Sequence, residues 1–168
     1  MIKIYLRNII RFAAVVLLQV LVFDNIELSG YINPYIYLIF IILLPFETPN
    51  WLLLLLAFLL GLSIDLFHMT YGLHASATVF AALLRPFILK AFSPRDGYEP
   101  GTFPRVAYYG FSWFAKYAMI LIFAHHFFLF FMEIFRISDM IFIMSKTFLS
   151  GIVSVFFIII SQYFIYRR

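Results

Sequence analysis

Long apolar runs, broken by short polar joints, organise this chain. The first run covers about Ile9 to Phe23, with Arg7 and Arg11 able to snorkel at its start. The second, Ile32 to Leu44, is short beside the roughly 20 residues that a helix needs to cross a bilayer. Pro45-Phe-Glu-Thr-Pro49 then breaks the chain. The third run extends from Trp51 to about Ile64 and the fourth from about Leu73 to Leu89. A polar loop, Ser93 to Pro104, holds enough Pro and Gly to resist helix. The fifth run covers Tyr108 to Met132 and the sixth about Met140 to Tyr166. The pattern predicts an all-α integral membrane protein, one polytopic domain over 1–168. The second and third runs form either two spans or a re-entrant hairpin. Both arrangements return the chain to the side it came from.

The most distinctive pattern lies between Phe58 and Pro86. One apolar run ends in Gly61-Leu62-Ser63-Ile64-Asp65, and a polar joint with His68, Thr70 and Gly72 follows. The next run starts on the small residues Ala75, Ser76 and Ala77 and ends at Arg85-Pro86. Ala57, Gly61 and Asp65 are four apart, so they share one helix face. Such a small-residue stripe lets a second backbone approach closely, with a carboxylate at the rim of the contact. Leu56 is expected to face lipid. An acid in this position faces protein or water, because lipid exposure is costly. Asp65 is expected to cap the next helix or hold the turn. Arg85 is expected to end the fourth helix as a basic anchor at the inner face.

Composition strengthens the membrane assignment. The chain has 168 residues, 65% hydrophobic and 12% charged, with a mean hydropathy of +1.02. A soluble domain of this size could not hide that much apolar surface. The 23 Phe and 11 Tyr suit lipid-facing surfaces and interfacial belts. No Cys is present, which excludes disulfides and Cys-ligated metals. The basic N-terminus resembles a signal peptide, but no small-x-small cleavage site follows Phe23, so it is expected to be a retained helix.

The net charge of +4 matters through its distribution and is not a nucleic-acid signal. With the N-terminus inside, nine basic residues fall on inner segments: Lys3, Arg7, Arg11, Arg85, Lys90, Arg95, Arg105, Arg167 and Arg168. Only two, Arg136 and Lys146, fall on outer ones. That bias predicts both termini in the cytoplasm. Asp24, Glu27, Asp65 and His68 then lie at or near the outer face.

Other polar residues offer little chemistry. His125 and His126 are adjacent, so about 100° apart around a helix, and cannot easily share one metal. They are expected to be packed or interfacial, with at most a loose ion pair between His126 and Glu133. Lys116 is expected to snorkel, and Glu47, between two prolines, to be solvated. Thr147-x-x-x-Gly151 and Ser150-x-x-x-Ser154 mark a close-packed face on the last helix. There is no nucleophile–base pair, Gly-rich phosphate loop or carboxylate pair at useful spacing. No enzymatic activity and no cofactor are expected.

Four segments carry a family resemblance: Asn33-Pro34-Tyr35, Leu44-Pro45, Gly61-Leu62-Ser63-Ile64-Asp65-Leu66 and Gly72-Leu73-His74-Ala75. Together with length and hydropathy they make the chain resemble the MreD family of bacterial rod shape-determining membrane proteins. The family signature is Gly-x-x-x-Asp followed by a helix led by Gly-Leu and small residues. The last two segments match in hydropathy alone. The resemblance implies a six-helix bundle similar to the substrate-binding subunits of energy-coupling-factor transporters. It implies a non-catalytic member of the cell-elongation complex in the bacterial inner membrane. The implied partners are the bitopic protein MreC and, indirectly, the actin-like MreB filament, the glycosyltransferase RodA and a class B transpeptidase. Ala57, Gly61, Asp65, Gly72, Ala75, Ser76 and Arg85 would then serve helix packing or the partner interface. The alternative is a solute-binding subunit of such a transporter. That reading needs an outward cavity, for which Asp24, Glu27, Asp65, His68 and His74 are the candidates.

Overall fold

The computed structural model describes residues 2–26, 31–99 and 101–165, with side chains from residue 8 to 164. The expectations for Lys3, Arg7, Glu27, Tyr166, Arg167 and Arg168 lie outside the described residues or side chains. The helices are α1 (Ile2–Leu21), α2 (Ile39–Ile42), α3 (Asn50–His68), α4 (Leu73–Ala91), α5 (Val106–Ile134) and α6 (Met140–Ile165). Short 3-10 turns, Phe23–Asn25 and Ile137–Asp139, follow α1 and precede α6. The described residues form no strand. Among them, five helices are long and apolar enough to cross a membrane. The protein is thus an all-helical, multi-pass membrane bundle.

The second apolar run departs from the expected pattern. It contains one helical turn, α2, and is otherwise irregular. Yet it still crosses the bundle. Pro34 lies beside Gln19 near the end of α1, whereas Leu44 meets Arg85 far along α4. An extended chain rises about 3.3 Å per residue against 1.5 Å in a helix, so these few residues cover the distance. Residues Tyr35 to Leu44 are all buried. Irregular backbone is tolerated at membrane depth only where protein surrounds and satisfies it.

That satisfaction is supplied by side chains. Ser150 Oγ accepts from Asn33 N at 3.0 Å and Ser154 Oγ from Tyr35 N at 2.9 Å. Gln19 Oε1 accepts from Ile36 N at 2.7 Å, and its Nε2 donates to Pro34 O at 3.0 Å. Tyr117 Oη donates to Ile42 O at 3.0 Å. Arg85 donates from Nη2 to Leu44 O and from Nε to Tyr117 Oη at 2.9 Å. Thr147, Ser150 and Ser154 are buried, as the close-packed face requires.

Around this segment α3 pairs with α4, α4 with α5 and α5 with α6. α5 is kinked at Gly110, where φ is 80°. Arg11 of α1, Arg105 and Ser161 of α6 line one cleft, so the first helix starts and the last ends at the same end of the bundle. There Phe46 stacks on Tyr98 at 4.0 Å, and Trp113 Nε1 donates to Phe92 O at 3.0 Å. Tyr98 Oη donates to Leu89 O at 2.7 Å. Burial pushes the Tyr98 phenol up to about 12, so it stays a neutral donor.

Candidate functional site

The α3–α4 joint is built around one carboxylate. Asp65 Oδ1 accepts from His74 N at 2.9 Å, and Oδ2 accepts from Ala75 N at 2.9 Å. These are two of the orphan donors that open α4. Thr70 Oγ1 adds a third bond at 2.5 Å. Asp65 thus caps the next helix from the one before it, as its position suggested. Gly72 makes the connection at φ 85°, a left-handed conformation that side chains other than glycine's seldom adopt. A Cβ on Gly61 would overlap Ala75 Cα and the His74 carbonyl oxygen, both backbone. The close approach expected of the small stripe occurs here, inside the protein.

Consequently most of the stripe is unavailable to a partner. Ala57, Gly61, Asp65 and Ala75 are buried, while Ser76 is exposed and donates to Leu73 O at 2.8 Å. Leu56 is half-buried against the core rather than facing outward. Leu55, Phe58 and Leu59 are the exposed residues of the helix's middle turns. Arg85 also departs from expectation. Helix α4 continues past Pro86 to Ala91, and Arg85 is 1% exposed. Pro86 lacks an N–H and costs the helix one bond, a loss that membrane helices tolerate where neighbouring helices pack around them. The guanidinium turns into the core and donates to the Leu44 and Pro45 carbonyls, at the far end of the crossing segment. It satisfies buried carbonyls of the crossing segment rather than anchoring at the membrane surface.

At the other end of the bundle lies a cavity of about 220 Å³. Its walls come from the turn after α1, the crossing segment, the α3–α4 joint and α5. Asp24 Oδ2 is 2.7 Å from His68 Nε2, and Asp24 Oδ1 accepts from Gln19 Nε2 at 2.7 Å. His74 lines the wall, and its Nδ1 lies 3.1 Å from Asp65 Oδ1. A carboxylate accepts only, so Nδ1 carries a proton, and in the neutral imidazole Nε2 keeps its lone pair. That Nε2 is buried and has no hydrogen-bond partner among the described residues. Asp24, His68 and His74, candidates from the sequence, therefore meet in one cavity, with Asp65 bound behind His74.

Deeper in the bundle, Tyr37 Oη is 2.7 Å from His125 Nε2. His126 Nδ1 donates to Ile122 O at 2.8 Å, and its Nε2 is 3.0 Å from Ser154 Oγ. Both histidines are fully buried and packed around Tyr35. Glu133 pairs with Lys146 at 3.3 Å rather than with His126. Lys116 is exposed, and Glu47 is exposed and accepts from Gly101 N at 2.9 Å. No three His, Cys, Asp or Glu among the described residues are placed to hold a metal ion.

Sequence reasoning missed Gln19 and Tyr37, met Tyr35 only within a family motif, and gave Glu133 an ion pair with His126 rather than a place in the cavity wall. Gln19 carried a signal, as the single amide in an otherwise apolar run. Tyr37 carried none, because one aromatic in a chain of many does not announce a polar contact. No protein-family model, curated protein or solved structure matches the chain.

Proposed function

We propose that the protein acts by binding, as an MreD-like component of the bacterial cell-elongation machinery that holds the membrane helix of an MreC-like partner. The observation that carries this reading onto the structure is the position of α1. Only 17% of its spanning residues are buried, against 33–44% in the other four spans. Its Ile10, Leu17 and Leu21 are exposed. An apolar cleft of about 250 Å³ runs beside it, between Ala14, Val15 and Leu18 and the crossing segment. Helix association in lipid depends on close packing, and a cleft beside a lightly held helix offers that contact.

On this reading the interior small stripe builds the fold and α1 meets the partner. The fold is that of an energy-coupling-factor substrate-binding subunit turned to scaffolding. The machinery it serves contains MreB-like, RodA-like and class B transpeptidase components. The protein resides in the bacterial inner membrane with both termini in the cytoplasm, and it has no catalytic role. With Arg85 internal, the basic bias is eight to two and keeps its direction.

The test uses the absence of Cys. A cysteine at position 18 should cross-link to the single-span partner in membranes, whereas one at Met119 on α5 should not. Depletion should round rod-shaped cells without abolishing wall synthesis. Cells that stay rod-shaped but become auxotrophic for a vitamin would overturn the proposal in favour of a transporter subunit.

A further inference from the structure

A groove of about 360 Å³ lies between the start of α3 and the end of α4. Asn50 and Leu54 border it on one helix, and Leu83, Pro86, Phe87 and Lys90 on the other. The three- and four-residue spacings put each set on one face of its helix. Leu53 and Ala82 are buried and form the floor, where the short side chain of Ala82 leaves room. Leu83 and Phe87 are 50% and 67% exposed, so the groove opens away from the bundle. In a chain that spans a bilayer, that side meets lipid.

Its dimensions match one leaflet. Ala82 and Lys90 stand two turns apart, a rise of about 12 Å. Half of a bilayer's hydrocarbon core is about 15 Å deep. The groove therefore covers most of one leaflet, with Asn50 and Lys90 at the helix ends and so at the headgroup level. A helix roughly 10 Å across fills about 400 Å³ in a single turn, more than the whole groove holds over two. A helix can lie across the groove but cannot enter it, whereas one acyl chain can.

The rim adds charge to this shape. Lys90 is exposed and makes no ion pair among the described residues. Glu47, just before α3, accepts from Gly101 N instead. Asn50 is exposed at the same rim and brings amide donors. A positive, donor-bearing rim above an apolar trough complements a phosphate joined to a hydrocarbon chain.

We propose that the α3–α4 groove binds one anionic phospholipid, with its phosphate on Lys90 and Asn50 and one acyl chain laid between Leu54, Leu83 and Phe87. The groove is separate from α1, so the site stands or falls independently of partner docking.

Photo-cross-linking of the full chain in phosphatidylcholine vesicles tests this. The probe is phosphatidylglycerol with a diazirine in one acyl chain, and the control is phosphatidylcholine with the same chain. Adducts of the glycerol lipid are expected at Leu54, Leu83 and Phe87, displaced by unlabelled phosphatidylglycerol. Lys90→Gln, at an exposed position that tolerates the change, should lower that preference about fivefold, the worth of one lysine near an anionic headgroup. Arg95→Gln, in the exposed loop beyond α4, should leave it unchanged. Equal labelling by the two lipids would overturn the proposal. So would an equal loss in Lys90→Gln and Arg95→Gln, which would make the attraction a general one of the basic end. A disulfide between two copies of Phe87→Cys, with no lipid adduct in the groove, would assign it to self-association instead.

Discussion

Asp65 shows how one side chain joins two helices. Its two oxygens accept from His74 N, Ala75 N and Thr70 Oγ1, so the α3–α4 turn and the start of α4 form together. Asparagine keeps one acceptor oxygen but sets an NH₂ against a backbone N–H. Leucine leaves every donor unpaired in a buried site. Asp65→Asn should cost about 1–3 kcal/mol and Asp65→Leu clearly more, read as midpoints of thermal unfolding in detergent. Complete loss of function in the Asn variant at normal protein level would instead identify a role for the charge. Gly61 is stricter still. Because its neighbours are backbone atoms, Gly61→Leu should sharply lower the amount of folded protein, and Leu55→Phe on the exposed face should not. Arg85→Met would leave the Leu44 and Pro45 carbonyls without their donor, so it should destabilise despite raising hydropathy.

The crossing segment makes the corresponding point for an element. A one-turn helix flanked by extended chain has few backbone bonds of its own, so its neighbours must provide them. Gln19, Ser150 and Ser154 do so from α1 and α6. Gln19→Leu should therefore destabilise by roughly 2–5 kcal/mol, since Pro34 O and Ile36 N lose their partner in a buried place. Gln162 provides the contrast. It is 4% exposed and both polar atoms of its amide lack partners among the described residues. Gln162→Leu should be neutral or stabilising, because burying an unpaired amide already carries a cost. Unfolding midpoints of the two variants measured side by side check the pair.

For the whole molecule, the crossing segment preserves the alternation of directions that a sixth helix would have supplied. The first and last helices meet at the end where Arg105 lies, and the cavity beside Asp24 and His74 sits at the other. With the basic bias pointing inward, a single cysteine at Gly97 should resist impermeant thiol reagents in intact cells whose outer membrane has been made permeable. Labelling at that position would invert the orientation and place the cavity on the cytoplasmic side.

The apolar runs by themselves determined that this is a multi-pass helical membrane protein, because hydropathy over some twenty residues reports lipid exposure without knowledge of neighbours. They also showed where α3 and α4 meet and gave Asp65 the role of cap or turn holder, since four-residue spacing and a short loop are local geometry. The second run was legible as too short, but not as non-helical. Its extended form depends on Gln19, Ser150 and Ser154, which lie up to 119 positions away in the chain. Arg85 looked like a surface anchor for the same reason: its carbonyl partners at Leu44 and Pro45 are 41 and 40 positions distant. The stripe of small residues announced a close contact, but only the tertiary structure decided that α4 fills it and an outside partner cannot. The cavity likewise required the fold, because Asp24, His74 and Glu133 come from separate elements and their charges meet only when the bundle closes.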